Sequence, residues 1–320
     1  MAAPPLPPEG IARFRGGLDA LTGGATGLFG VAVSGGPDSL ALLLLANAAF
    51  AERVRAATVD HGLRPQGAAE AAFVAELCAG LGVPHAVLAA DAPVAGNVQS
   101  AARSLRYRLL AGWAQAEGIG WLLTAHHQDD QAETLLMRLQ RGAGLAGLSG
   151  IRAATQIAGV PVARPLLGWR RAELATIVAR AGIAPVDDPS NADERYDRAR
   201  MRLRIAQAGW IDAPALARSA GALAEADAAL EWAVERLVAE RVGRVAGGLT
   251  LDPGDLPSEL RRRLLLRALA LVAPADPPRG EAVQRLLAAL EAGETATLAG
   301  VKCEGGGIWR FSAAPPRRRS

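Results

Sequence analysis

The hexapeptide Ser34-Gly35-Gly36-Pro37-Asp38-Ser39 follows a short apolar run and opens a long apolar stretch. Paired glycines let the backbone turn tightly and present bare N–H groups to an anion. Pro37 suits the first turn of a helix, whose N-terminus adds positive potential for phosphate. Ser34 and Ser39 add hydroxyls, and the Asp38 carboxylate is a hard oxygen donor for a magnesium ion or its waters. No GxxxxGK[ST] pattern occurs, and the missing phosphate-gripping lysine argues against kinase chemistry and γ-phosphate hydrolysis. The loop fits a polyphosphate held by backbone groups; a plain glycine turn between strand and helix is the structural alternative.

A second group comprises His126, His127, Asp129, Asp130 and Glu133. Asp130 and Glu133 are spaced i,i+3, which puts both carboxylates on one face near a helix start, although acids there also simply answer the helix macrodipole. HExxH spacing is absent and no cysteine lies nearby, so a zinc site is disfavoured. Asp60 and His61 close another apolar run. Arg195, Arg198, Arg200, Arg202 and Arg204 fall within ten residues, a density that suits either phosphate binding or a solvated helix face.

These groups need a scaffold, and the first half of the chain supplies a pattern for one. Apolar β-type runs at 28–33, 54–59, 84–88 and 121–125 alternate with helical patterns at 37–50, 67–81, 98–117 and 128–140. That alternation predicts an α/β fold with a doubly wound parallel sheet. Ligands in such a sheet sit beyond the carboxyl ends of the strands. The hexapeptide, Asp60-His61-Gly62, the segment 91–99 and the run 126–130 occupy those ends and are expected to converge on one crevice. A Gly/Pro-rich stretch at 142–165 interrupts the pattern, before a helix at 170–182 and a turn-rich loop at 185–191. The domains expected are a lead-in at 1–27, a catalytic domain at 28–210, a separate, mainly helical α+β domain at 214–312, and a disordered basic tail at 313–320.

Half of the 320 residues are hydrophobic, enough to bury the cores of two domains. The longest apolar run, 40–50, is too short to cross a bilayer, and the N-terminal MAAPPLPPEG lacks the basic and apolar regions of a signal peptide. A cytoplasmic location without membrane association is expected. Cys78 and Cys303 are far apart and suggest core thiols rather than a disulfide framework. The net charge is +3; residues 1–150 carry 10 basic and 12 acidic groups, residues 151–320 carry 25 and 20, so the excess lies in the second half.

SGGPDS resembles the pyrophosphate loop of the N-type ATP pyrophosphatases, which cleave ATP between the α and β phosphates and adenylate an oxygen. The resemblance covers about residues 28–205. VDHGLR at 59–64, ARSLRYRLL at 102–110, TAHHQDDQAETLLMRLQRGAG at 124–144, GLSGI at 147–151, RPLLGWRRAEL at 164–174 and DDPSNADERYDRARMR at 187–202 are similar, in order, to the tRNA(Ile)-lysidine synthetase family. That resemblance implies ATP and magnesium as cofactors, with Asp38 as a candidate magnesium ligand. It implies free lysine and the isoleucine tRNA with a CAU anticodon as substrates. ATP would adenylate the carbonyl oxygen at carbon 2 of the wobble cytidine, and the lysine amine would displace AMP to form lysidine, so that the tRNA reads AUA.

The same resemblance implies that Ser34 to Ser39 bind ATP and that Asp60 and His61 line the nucleotide pocket. Asp130 and Glu133 would bind lysine, with Arg106 working beside them or neutralising the α-phosphate. Asn191, Arg198 and Arg202 would contact ATP or tRNA. Ala199 departs from the family pattern, which has asparagine after the arginine, and one C-terminal module is expected where longer members carry two. A homodimer is compatible with the family. The alternatives are a tRNA thiolase on the same scaffold, which needs reactive cysteines, and an RNA-binding relative without turnover.

Overall fold

The computed structural model describes residues 6–60, 67–89, 98–186, 197–274, 278 and 280–314. Two compact units, Met1–Ala224 and Glu225–Ser320, divide the chain inside one long helix.

The first unit contains α1 (Pro8–Thr22), β1 (Leu28–Ala32), α2 (Pro37–Ala49), β2 (Val54–Asp60), α3 (Gly67–Leu81), β3 (His85–Ala89), α4 (Val98–Ala116), β4 (Ile119–Leu123) and α5 (Gln128–Gln140). After these come α6 (Leu145–Leu148), β5 (Ala154–Ile157), β6 (Val160–Ala163), α7 (Arg171–Arg180), α8 (Asp197–Gln207) and the first part of α9 (Ala213–Arg241). The strand order is β3-β2-β1-β4-β6-β5, with every pairing parallel except the edge pair β5 and β6. The chain winds outward from β1 to β3, then returns to place β4 on the other side of β1. This reversal opens a crevice between the carboxyl ends of β1 and β4.

Side chains alternate across the sheet as the two-residue period requires. Phe29, Val31 and Val33 join one core with α1, α2 and α7, while Leu28 and Ala32 face the other core with Leu110, Ala111 and Ala114 of α4. Gly30 lies on that second face, where a Cβ would sit 2.8 Å from the Trp113 ring; the missing side chain lets α4 approach. Helix α2 is buried from Ser39 through Ala46, which explains why it reads as an unbroken apolar run rather than an amphipathic pattern.

Four elements of the first unit, in two regions, escape the sequence reading. Residues 8–22, taken there as lead-in, form α1, whose Phe14 and Leu18 are fully buried one turn apart; Gly16 and Gly17 dilute its helical signal. Within 142–165 lie α6 and the hairpin β5–β6. Its strands have four residues each, and Pro161 inside β6 makes a paired strand read as a breaker.

The second unit holds the rest of α9, β7 (Val242–Val245), β8 (Gly248–Leu251), α10 (Ser258–Val272), α11 (Gly280–Glu291), β9 (Thr295–Leu298), β10 (Val301–Glu304) and β11 (Trp309–Ala313). Its antiparallel sheet, in the order β7-β8-β11-β10-β9, packs Leu249, Leu251, Cys303, Trp309 and Phe311 against Leu264, Leu265, Leu286 and Leu290 of the helices. Arg263 is buried in this unit, and its guanidinium meets Asp227 at 2.7 Å, Glu231 at 2.5 Å and Glu259 at 2.7 Å. The three carboxylates offset the desolvation that an isolated buried cation would suffer.

Candidate active site

The loop between β1 and α2 has its own internal bonding. The Ser34 N–H donates to Ser39 Oγ at 3.1 Å, the two hydroxyl oxygens lie 3.2 Å apart, and Ser39 Oγ donates to the Gly36 carbonyl at 2.9 Å. Gly35 takes a φ of +82°, and a Cβ there would approach Val186 Cγ2 at 3.1 Å, so glycine is required both by conformation and by space. The Val186 N–H donates to the Gly35 carbonyl at 3.0 Å, tying the loop to the segment after α7. Gly36 is the N-cap of α2 and Pro37 its first residue, which leaves the first amides of the helix aimed at the crevice.

That crevice encloses about 500 Å³ and is lined by Ser34, Gly36, Pro37, Asp38, Ser39, Asp60, Arg106, Asp130, Arg198 and Arg202 among others. The volume lies within the range, roughly 300–1,000 Å³, of small-molecule sites. Groups as far apart in the sequence as Ser34 and Arg202 thus share one cavity. His61 and Asn191 lie outside the described residues. Asp60 ends β2 at the crevice wall, and its Oδ1 would lie 2.7 Å from a Cβ on Gly67. Residues the sequence reading passed over also line the cavity: Glu70, Arg103, Tyr107 and Arg171. Arg103 stands one turn before Arg106 on α4, a spacing that would have put it on the same face.

Arg103, Arg106, Arg171, Arg198 and Arg202 all line the cavity, a set of guanidiniums suited to a polyphosphate. Burial lowers the Arg106 guanidinium from its usual value, with the neighbouring Arg103 adding to the effect. Burial, and then the charges of Arg164, Arg198, Arg103 and Arg106, hold His126 neutral. Its Nδ1 lies 3.1 Å from Thr124 Oγ1.

Carboxylates gather around His127, which is 1% exposed. Its Nε2 lies 3.4 Å from Asp38 and 3.6 Å from Asp130, and its Nδ1 lies 3.5 Å from Asp129. One imidazole therefore spans the carboxylate of the glycine loop and those opening α5. The His127 N–H also donates to Asp130 Oδ2 at 3.0 Å, which fixes Asp130 at the start of α5. Asp38 Oδ1 is buried with no hydrogen-bond partner among the described residues. An orphaned carboxylate oxygen beside an anion-binding loop fits a divalent cation.

Glu133 sits deeper, at 2% side-chain exposure, and is not part of the cavity lining. Arg198 Nε approaches it at 3.1 Å and Arg202 Nε at 2.8 Å, while Arg198 Nη2 lies 3.7 Å from Asp130. Helix α8 thus closes over α5 through two arginines spaced i,i+4. Asp130 faces the crevice, whereas Glu133 is reached only past these guanidiniums. Ala199, between them, is buried against the protein.

The His127 environment has a consequence for stability. Burial by itself lowers the imidazole, but contacts with Asp129 and Asp38 and the charge of Asp130 outweigh it and raise the value from 6.5 to about 10. Asp129, held chiefly by His127 and also by the Arg171 N–H, falls from 3.8 to about 2. A raised histidine stabilises the fold fully below its unfolded value and loses that contribution as pH climbs through its folded value. The urea midpoint is expected to decline between pH 6.5 and about 10, and His127→Asn should flatten the decline. A wild-type profile as flat as the variant's would contradict this assignment.

Parallel sheet, switch-point crevice and glycine loop at a helix N-terminus together define a PP-loop nucleotide-binding protein, and the PP-loop domain family matches residues 21–208. A tRNA(Ile)-lysidine synthase from Novosphingobium aromaticivorans is 51% identical over 311 residues, covering 96% of this chain and 94% of that protein. Another, from Zymomonas mobilis, is 44% identical over 300 residues, covering 92% and 91%. The chain belongs to the tRNA(Ile)-lysidine synthase family. Among solved structures, a U34-tRNA thiolase from Methanococcus maripaludis, with its 4Fe-4S cluster, gives a TM-score of 0.56 at 19% identity, over 68% of this chain and 78% of that one. That likeness concerns the fold alone. Cys78 and Cys303 are free and buried here, and burial pushes their thiols up to about 11 and about 12, far from the reactive thiolate that sulfur transfer needs. No described helix is long and apolar enough to cross a membrane.

Proposed function

We propose that this chain joins free lysine to carbon 2 of the wobble cytidine of CAU-anticodon isoleucine tRNA, consuming ATP and releasing AMP and pyrophosphate. The observation that carries the reading is the single crevice shared by the glycine loop, Arg106 and Asp130, in a chain whose relatives carry this name across nearly their whole length. An amide-like ring oxygen is a poor leaving group, so it is first converted to a phosphate ester. The cytidine oxygen attacks the α-phosphorus of ATP, the α–β bridge breaks, and pyrophosphate leaves. The lysine amine then adds at carbon 2 and AMP departs with the oxygen.

In this reading the amides at the start of α2, with the Ser34 and Ser39 hydroxyls, hold the departing pyrophosphate. Asp60 borders the adenosine. Magnesium entering with ATP would take Asp38 as an oxygen ligand and neutralise phosphate charge. Arg106 stabilises charge that develops on the α-phosphate. Asp130 receives the lysine ammonium and takes its proton before attack. Arg198 and Arg202, now on Glu133, are the cations that a phosphate entering the crevice would compete for, so nucleotide binding and access to Glu133 are linked.

The two steps separate experimentally. With lysine withheld, the enzyme, ATP and the CAU isoleucine tRNA should release pyrophosphate and leave an adenylated RNA that lysine later converts. Pyrophosphate release that is indifferent to tRNA would overturn the order of the steps.

A further inference from the structure

Helix α8 presents two faces. Arg198 and Arg202 turn inward onto Glu133, while Leu203, Arg204 and Gln207 stand exposed on the other side. Trp210, just beyond the end of the helix, is 84% exposed, more than any other large apolar side chain in the described residues. Leu203 and Gln207 lie one turn apart on that exposed face, and the indole of Trp210 follows three residues after Gln207, beyond a left-handed turn at Gly209. The helix carries four arginines against one acid, Asp197, and Arg204 makes no ion pair among the described residues. A large exposed aromatic six residues after an arginine with no ion pair suits a partner with both π-faces and phosphates.

We propose that the outward face of α8, continued by Trp210, is a docking strip for a single-stranded RNA loop, with Arg204 on a backbone phosphate and Trp210 stacked on an unpaired base. This inference rests on the proposed tRNA substrate and adds the surface that receives it. A protein partner would be expected to cover a broader apolar patch, but among the large apolar side chains of α8 and the turn after it only Leu203 and Trp210 stand exposed, with Arg204 and Gln207 between them in the sequence. The strip and the arginines over Glu133 belong to one helix of 11 residues, about 16 Å long. An RNA loop held on the strip is thereby placed beside the element whose Arg198 and Arg202 line the crevice.

The test is fluorescence anisotropy of a labelled CAU anticodon stem-loop with wild type, Trp210→Ala, Trp210→Phe and Arg204→Gln, without ATP or lysine. Loss of one stacked base should weaken binding about 5- to 160-fold in Trp210→Ala, and the phenyl ring should restore most of it. Arg204→Gln should weaken binding and reduce the slope of log affinity against log salt by about one. In turnover assays the same substitutions should raise KM for tRNA and leave kcat nearly unchanged, which a merely unfolded variant could not do. Unchanged affinity and salt slope in both Trp210→Ala and Arg204→Gln would overturn the strip. Because binding is read without turnover, the two ideas fail separately. Wild type that binds through Trp210 but transfers no lysine would leave the strip standing and overturn the reaction; lysine transfer with RNA affinity indifferent to both substitutions would do the reverse.

Discussion

Asp38→Ala should abolish pyrophosphate release, lowering its rate by on the order of 10²–10³-fold or more, the scale of losing one preorganised electrostatic group. Asp38 opens α2 at the mouth of the glycine loop, and its Oδ1 has no hydrogen-bond partner among the described residues. That oxygen is held ready by surroundings that do not use it. The other oxygen lies 3.4 Å from His127 Nε2, which orients the carboxylate and reduces the repulsion between it and an incoming polyphosphate. Removing the side chain should leave the loop's internal serine bonds, which do not involve Asp38, so ATP affinity should fall less than the rate. Quantifying pyrophosphate in the absence of lysine isolates this step. Near-normal release from Asp38→Ala would remove Asp38 from the adenylation machinery.

Glu133→Gln should have the opposite profile, keeping pyrophosphate release within a few-fold of wild type while lysine transfer falls about 10²-fold, as for a lost acid–base group. Glutamine keeps the shape of the buried side chain but not the charge that holds Arg198 and Arg202 at 3.1 and 2.8 Å. Those arginines then have no competing carboxylate at this position and become more available to phosphate, so the first step is spared. The second step loses one of the two carboxylates proposed to manage the lysine amine. Adenylated tRNA should accumulate in this variant, and chasing it with lysine gives the ratio of the two rates. Equal loss of both steps would show that Glu133 serves the fold of α5 and α8 rather than lysine.

The loop and the acidic opening of α5 are legible in the sequence because their chemistry is contiguous: Ser34 to Ser39 and His126 to Glu133 are each a single turn-and-helix start. The parallel sheet is legible through its alternation of apolar runs. Local pattern does not carry partnership over distance. Nothing in the spacing of Arg198 and Arg202 points to Glu133, which lies 65 and 69 residues away. His127 illustrates the same limit. Beside Asp129 and Asp130 it invites comparison with a metal cluster, but only the return of β4 beside β1 brings Asp38 within 3.4 Å and makes the ring a hub for three carboxylates. The hairpin β5–β6 is hidden for a different reason: its strands are short and its stability comes from pairing with β4, so Gly159 and Pro161 dominate the reading of a ten-residue segment. Helix α1 is similar, since its diglycine costs helix propensity that burial of Phe14 and Leu18 offsets.

Lysine transfer is read directly by supplying radiolabelled lysine, ATP and magnesium with transcripts of the CAU isoleucine tRNA and, separately, a methionine tRNA with the same anticodon. ATP-dependent label is expected on the isoleucine tRNA alone. Absence of label from both, with ATP still cleaved to AMP and pyrophosphate, would contradict lysine transfer and assign the adenylating crevice to a different acceptor or nucleophile.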